Sequence, residues 1–456
     1  MKTRVYLFVV VVMLPLHAAK AQDNNKSAFS LQEAIDYAVV HNQNVVNAAY
    51  EKDIADTQVK ETLSRGLPQI NLNSGLNYNF EPQKSLLPPE VFGLDPNDLP
   101  EGAEEVDGEL VNTFQQAYDG NIALSASQLI FDGSFFVGLQ AAKTFKELST
   151  KDHIKSQIDV AEAVAKAYYN VLVNRERYDL VIVNRSRLDS LFRDTDALYR
   201  SGFAEKIDVS RVKVQLNNIS VQVDNTKQIL DLSEDLLKFQ MGMKISDTIT
   251  LTDDLEEVDF AVIEKEDFSY GERIEYSQLQ TNLALVNLDL KNNRVQRLPA
   301  VYANFNYGYN TQTGESSKLF NSDRWLSFGS LGLSVGIPIF DGFLKSSRIQ
   351  KNQIQARQIQ QSFDLLENSI DLEITEAKVN LTTALDNMVA QKENTELAEE
   401  IYNVAKIKYE EGVGSSIEVT NADADYKEAQ TNYYNSLYDA LVAKVELQKA
   451  YGTLFN

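Results

Sequence analysis

With 456 residues, 66 acidic against 43 basic side chains and a net charge of −23, the chain is too acidic for nucleic acid to be a partner. It has no cysteine, which excludes a disulfide framework, a thiolate metal site and a thioether-linked lipid. Only three histidines occur (His17, His41, His153), so neither a zinc centre nor histidine-based catalysis is expected, and no cofactor is called for.

In chain order, Met1-Lys2-Thr3-Arg4, the apolar run Val5 to Leu16 and Ala19-Lys20-Ala21 follow the basic, apolar, small-residue order of a signal peptide over residues 1–21. The apolar run falls short of a membrane-spanning helix. Cleavage removes three of the 43 basic residues (Lys2, Arg4, Lys20) and no acidic one, which takes the net charge to −26. In a pore such a charge favours cations. Ser30 and Glu33 read as a capping box that opens the first helix, and Leu67-Pro68 closes a helical stretch, since the residue before proline disfavours the helical region.

A strand is predicted over about 68–80, where Ile70, Leu72, Leu76, Tyr78 and Phe80 alternate with Gln69, Asn71, Asn73, Asn77 and Asn79. The Pro- and acid-rich stretch Glu81 to Tyr118 reads as a long loop that restricts one mouth of whatever the strands build. A second strand follows at about 119–131, with Ile122, Leu124, Ala126 and Ile130 on one side. Asp132-Gly133 would suit a hairpin, but helical pattern follows it, so a strand-to-helix corner is expected. From about Gly138 to Tyr199 no proline occurs, and the stretch reads as one helix of around 60 residues, about 90 Å long. Ile154, Ile158, Ala161, Ala165, Tyr168 and Leu172 form one seam on it, and Val160, Val164, Ala167, Val171 and Tyr178 form a second, which implies neighbours on two sides. The helix breaks at Gly202, a further helix ends near Met241-Gly242, and Ser246 to Ser269 loses periodicity as a small mixed collar.

The order then repeats. Leu298-Pro299 precedes a strand over about 299–310 (Val301, Ala303, Phe305, Tyr307, Tyr309 on one face), and a partner strand spans about 327–340, with Leu331, Leu333, Val335, Ile337 and Ile339. Asp341-Gly342 repeats the corner, about Leu344 to Tyr409 repeats the long helix, and Gly412 repeats the break, 210 positions after Gly202. Val419, Ala422, Tyr426, Ala429, Tyr433, Ser436, Ala440, Ala443, Leu447 and Ala450 then form a seam of small and aromatic residues. The chain divides accordingly into the signal peptide 1–21, a first repeat 22–242, a linker 243–271 and a second repeat 272–456.

The strands are long enough to cross a bilayer when tilted. Their polar faces are rich in Asn, Ser and Gly, and aromatic residues gather near both ends (Tyr78, Phe80, Tyr307 and Tyr309 at one, Phe131 and Phe340 at the other), as two membrane interfaces select. Four strands cannot close a barrel, so the barrel must be shared between chains. The Phe-Asp-Gly corners, the duplicated order of elements and the segments Tyr199 to Val209 and Tyr409 to Val419 together resemble the TolC-like outer-membrane efflux protein family.

That resemblance implies an α+β membrane protein, a homotrimer in which four strands per chain contribute to a twelve-stranded outer-membrane β-barrel continued by a long α-helical periplasmic tunnel. It implies a passive exit duct and not an enzyme, set in outer-membrane lipid and docked to a periplasmic adaptor and an inner-membrane pump of resistance-nodulation-division or ABC type. The adaptor-docking turns match Gly202, Phe203, Ala204 and Gly412, Val413, Gly414. The family's periplasmic gate of paired acids matches Glu418, but its second position here is Asn421, with Asp423 and Asp425 as possible substitutes on the same helix. A periplasmic coiled-coil or adaptor protein is the rival reading, with no use for four amphipathic strands. A hydrolase using Asp423 and Asp425 is poor, because residues two apart on a helix do not share a face. The cargo, whether drug, metal or protein, is not written in the chain.

Overall fold

The computed structural model describes residues 28–95, 102–255, 260 and 268–455, so the predicted signal peptide lies outside the described residues, as does much of the predicted collar. Among the described residues the α-helices and strands run in the order β1 (Ala28–Phe29), α1 (Leu31–His41), α2 (Gln43–Ser64), β2 (Gln69–Tyr78), β3 (Lys84–Leu87), β4 (Glu105–Val106), β5 (Glu109–Thr113), β6 (Tyr118–Phe131), α3 (Gly133–Arg200), α4 (Lys206–Met241), β7 (Thr250–Leu251), α5 (Ile274–Val295), β8 (Ala300–Thr313), β9 (Leu326–Gly336), α6 (Leu344–Glu410) and α7 (Ser416–Ala450). They form two compact units, one of Met1–Ala38 with Ala167–Asp259 and the other of Val39–Lys166 with Phe260–Asn456. The division crosses the sequence repeats, because α3 enters both units.

In the first unit, β1 and β7 pair in parallel, Phe29 opposite Leu251. Phe29 is buried, its carbonyl accepts the Tyr168 hydroxyl at 2.9 Å, and Arg175 Nη1 reaches the Leu251 carbonyl at 3.3 Å. The Leu31 N–H donates to Asp253 at 2.8 Å, and the Ser30 N–H donates to Glu33 at 3.0 Å, as the capping box requires. Leu251 and Asp253 belong to the described part of the stretch Ser246 to Ser269.

The second unit holds an antiparallel sheet in the order β2-β6-β8-β9. Its outermost strands, β2 and β9, each keep one hydrogen-bonding edge without a strand, and their apolar side chains are exposed: Leu72 66%, Leu331 82% and Leu333 73%. A flat apolar face with two open edges is an interaction surface that a lone soluble sheet would have to blunt. β9 stops at Gly336 and not at 340 as the pattern suggests. Gly336 faces Ala300, the first residue of β8, so Ile337 to Phe340 have no ladder partner, and Pro338 has no N–H to offer one. Both corners turn into helix as expected. Asp132, directly before α3, accepts the Ser134 N–H at 2.7 Å and so caps it, whereas Asp341 accepts the Lys345 N–H at 3.2 Å from two residues before the N-cap Phe343 of α6.

The stretch Glu81 to Tyr118, expected as a plain loop, carries a three-stranded sheet in the order β3-β5-β4 and a short 3-10 turn, Pro89–Phe92. Its hairpin continues the β2–β6 ladder past a break: Tyr78 pairs with Tyr118, and Lys84 with Thr113. Strands of four, two and five residues among prolines give too few repeats for an alternation to register.

α6 spans 67 residues, roughly 100 Å at 1.5 Å per residue. Against it packs α7, where Ala440, Ala443, Leu447 and Ala450 meet Ala377, Leu381 and Ala384 in a buried seam. The alanines let the two backbones approach closely and the leucines fill the holes between them. Among the described residues no helix is long and apolar enough to cross a membrane.

Candidate functional site

Both glycine turns have the same backbone. Gly202 and Gly412 sit at φ +82° and +74°, the left-handed region glycine enters without a Cβ penalty. Gly202 N–H bonds Tyr199 O at 3.0 Å and Phe203 N–H bonds Leu198 O at 2.9 Å; Gly412 N–H bonds Tyr409 O at 3.1 Å and Val413 N–H bonds Lys408 O at 2.9 Å. These are two Schellman ends that satisfy the last carbonyls of α3 and α6. The residue after each glycine is thrust outward, Phe203 83% and Val413 79% exposed. The third positions differ. Gly414 lies so close to α6 that a Cβ there would stand 2.9 Å from Lys408 Cβ, whereas its counterpart is Ala204. The two turns lie in different units.

The helix after each turn begins with an acid at its third position, used differently in the two cases. Asp208 accepts the Glu205 N–H at 3.2 Å and pairs with Arg211 at 3.1 Å, so it serves the cap of α4. At the start of α7 the capping oxygen comes from Ser415, which accepts the Glu418 N–H at 3.3 Å, and the Glu418 carboxylate is left exposed.

Glu418, Asn421 and Asp425 line one groove of about 440 Å³ with Glu400, Ile401, Val404 and Lys408 of α6. Spacings of three and four put them on a single exposed face of α7. Asp423 belongs to the opposite face: it is 1% exposed and ion-paired with Lys427, one turn on. It is therefore not brought together with the other three. Below the groove, Tyr402 and Tyr426 stack with ring centres 6.2 Å apart and bind α6 to α7. The exposed face continues through Glu428, Asn432, Asn435 and Asp439, the last three lining a second groove of about 740 Å³ with Asn380, Asn387 and Gln391. The sequence reading stopped at Asp425, although the same three-four spacing was there to extend it.

At the other end of α7 the helix is fastened. Arg273 is buried and donates to the Ala450 carbonyl at 2.9 Å, to Glu373 at 3.0 Å and to Glu275 at 3.1 Å. Lys449 pairs with Glu162 at 2.6 Å, and Lys166 bridges Glu162 and Glu446, each at 2.8 Å. Burial alone would raise Glu162, but its hydrogen bonds to Lys166 and Lys449 outweigh that and hold the carboxyl below its usual range. Glu275 is likewise pushed up by burial and brought below its usual range by Arg273. None of this was legible in the sequence, since Arg273 and Ala450 lie 177 positions apart.

The outer membrane efflux protein family matches residues 34–239 and 276–453, which is most of the chain. The chain belongs to that family. The outer membrane protein TolC of Vibrio cholerae serotype O1 is 19% identical over 460 residues, covering 97% of this chain and 95% of its own length. The Campylobacter jejuni CmeC outer-membrane channel superposes with a TM-score of 0.71 at 16% identity over 93% of this chain and 86% of its own. The open state of the Neisseria gonorrhoeae MtrE outer-membrane channel does so with a TM-score of 0.70 at 15% identity over 93% and 89%. The fold is thus that of the TolC-like channels: an α+β fold in which a four-stranded sheet is joined to long helices. As a member of the efflux family the chain is an outer-membrane exit duct extending into the periplasm, and the family is one of channels rather than enzymes.

Proposed function

We propose that three copies of this chain assemble into one duct, set in outer-membrane lipid and loaded from the periplasm by an adaptor and an inner-membrane pump of resistance-nodulation-division or ABC type. The observation that carries the reading is the sheet: four strands with open edges at β2 and β9 and an exposed apolar face. In lipid every backbone group needs a partner, so each β2 must pair with the β9 of a neighbouring copy until the ring closes. Rings of fewer than about eight strands do not close, and three copies supply twelve.

The duct is passive. It opens when a partner binds its open form better than its closed one, and the energy for export comes from the pump. The adaptor is proposed to dock on the Schellman turns, where Phe203 and Val413 stand out as apolar knobs beside Gly202, Ala204, Gly412 and Gly414. The periplasmic gate is proposed to use Glu418 and Asp425 with Asn421 between them. Asp423 is left out, because a carboxylate this buried and paired with Lys427 serves the helix packing.

Separating outer membrane from periplasm and running the detergent-extracted protein unheated and heated on a denaturing gel tests this. The expected result is a membrane-bound species of three chains that dissociates on heating. A soluble monomer in the periplasmic fraction would overturn the reading.

A further inference from the structure

The four strands of the large sheet carry one charged residue among them. β2, β8 and β9 have no acidic or basic side chain, and β6 has Asp119 alone. The rest of that face is uncharged: mostly amide, hydroxyl or glycine with Ala123, Leu326 and Phe328 among them, and joined by neutral hydrogen bonds such as Asn73 to Ser125 at 3.3 Å, Ser127 to Asn304 at 3.2 Å and Asn304 to Ser334 at 3.0 Å.

Asp119 lies on that polar face. It stands opposite Asn77 on β2 and Gln312 on β8. Its neighbour Gly120 faces the other way, where Leu76, Thr311 and the Trp325 ring close to within about 3 Å of the position a Cβ would take. Successive residues of a strand point to opposite faces, so the Trp325 side is the apolar outer wall and the Asp119 side is the wet interior. Both carboxylate oxygens are held: Asn77 Nδ2 donates to Oδ1 at 2.9 Å and Asn79 Nδ2 donates to Oδ2 at 2.8 Å. Asn79 is itself anchored, its N–H bonding Ala117 O at 2.7 Å. Asp119 sits one position from the stacked pair Tyr78 and Tyr118, at the rim from which the β3–β5–β4 extension rises.

We infer that three copies of Asp119, each held by Asn77 and Asn79, form an anionic ring at the outer mouth of the barrel that concentrates small hydrated cations and makes the exit prefer them over anions. This rests on the shared barrel proposed above. The physical reason is position: along the four strands Asp119 is the one fixed charge, so three copies set the local field where the strands end, and the acid-rich extension beyond them carries the same sign. It is separate from the periplasmic gate, since Glu418 and Asp425 lie on α7 and Asp119 on a strand.

The test uses full-length trimers in planar lipid bilayers under a potassium chloride gradient, with the zero-current potential as readout. Asp119→Asn removes the charge and keeps an acceptor oxygen for one of the two amides, Asn77 or Asn79. It should lower the potassium-to-chloride permeability ratio by at least about threefold, the scale of three unit charges in water after screening by salt. Gln312→Lys, which places a cation opposite Asp119 without altering it, should do the same, and Asp119→Glu should keep the wild-type ratio. Gln312→Lys decides the question alone if Asp119→Asn does not assemble. Variants that conduct with an unchanged ratio would overturn the ring and leave the shared barrel standing. Wild-type protein that never forms a pore would overturn both.

Discussion

The two ends of α7 are built to opposite specifications. From Ser436 to Ala450 the buried positions are mostly Leu, Ala and Val, packed on Ala377, Leu381 and Ala384 and fastened by Arg273, Lys449 and Glu446. From Ser416 to Gln430 half of the buried residues are polar (Ser416, Asp423, Gln430), and the exposed face carries Glu418, Asn421 and Asp425 over a groove. Apolar burial contributes about 25 cal/mol per Å², and buried ion pairs are costly to break singly, so the first end is the fixed one. The second has less to lose by moving, which is the arrangement a gate at the Glu418 end requires. A helix of 35 residues hinged at one end turns a small rotation at its anchor into a displacement of many ångströms at its start.

The sharpest way to break this contrast is Arg273→Met. It leaves Glu275 and Glu373 without their shared cation and the Ala450 carbonyl without its donor. A loss of about 3–5 kcal/mol is expected, as for other buried pairs deprived of one partner, read as a lower heat-dissociation temperature of the detergent-extracted assembly.

Acid should attack the same end next. The lysines around Glu162 and the guanidinium beside Glu275 hold both carboxyls below the ordinary glutamate range in the folded protein, so their contribution is present at higher pH and is lost as pH falls through the lowered values. The melting temperature should therefore hold from neutral pH to about 5 and drop below about 4.5. Glu162→Gln should shrink that step, and a pH profile unchanged by this variant would remove the lysine–glutamate cluster from the anchor. The smallest effect belongs to the opposite end. Ser415→Ala removes the oxygen that accepts the Glu418 N–H and should cost about 1 kcal/mol. If it lowered stability as much as Arg273→Met, the start of α7 would be an anchor too, and the contrast would fail.

Much of this architecture is legible in the amino-acid sequence. Alternation in Ile70, Leu72 and Leu76 and three-four spacing in Ala440, Ala443 and Leu447 are local signals, because backbone geometry alone decides which residues share a face. The corners and turns were equally plain, since aspartate before glycine precedes each of the two longest helices and glycine ends each. The β3–β5–β4 sheet was not, because its strands are too short to show a period. Nor was the fate of the acids: helix geometry puts Asp423 and Asp425 on different faces, but only the docking of α7 on α6 decides that Asp423 is the buried, ion-paired one.

By itself, then, the chain's order of residues determined the four amphipathic strands, the long helices, the tandem repeat and the family. Tertiary structure alone decided that Arg273 would clamp the end of α7, that Asp423 would be withdrawn from the groove, and that Asn77 and Asn79 would hold the single charge on the four-stranded sheet. The reason is physical: periodicity is a property of neighbours along the chain, whereas the partners of a charge are chosen by whatever distant segment folding brings within 3 Å.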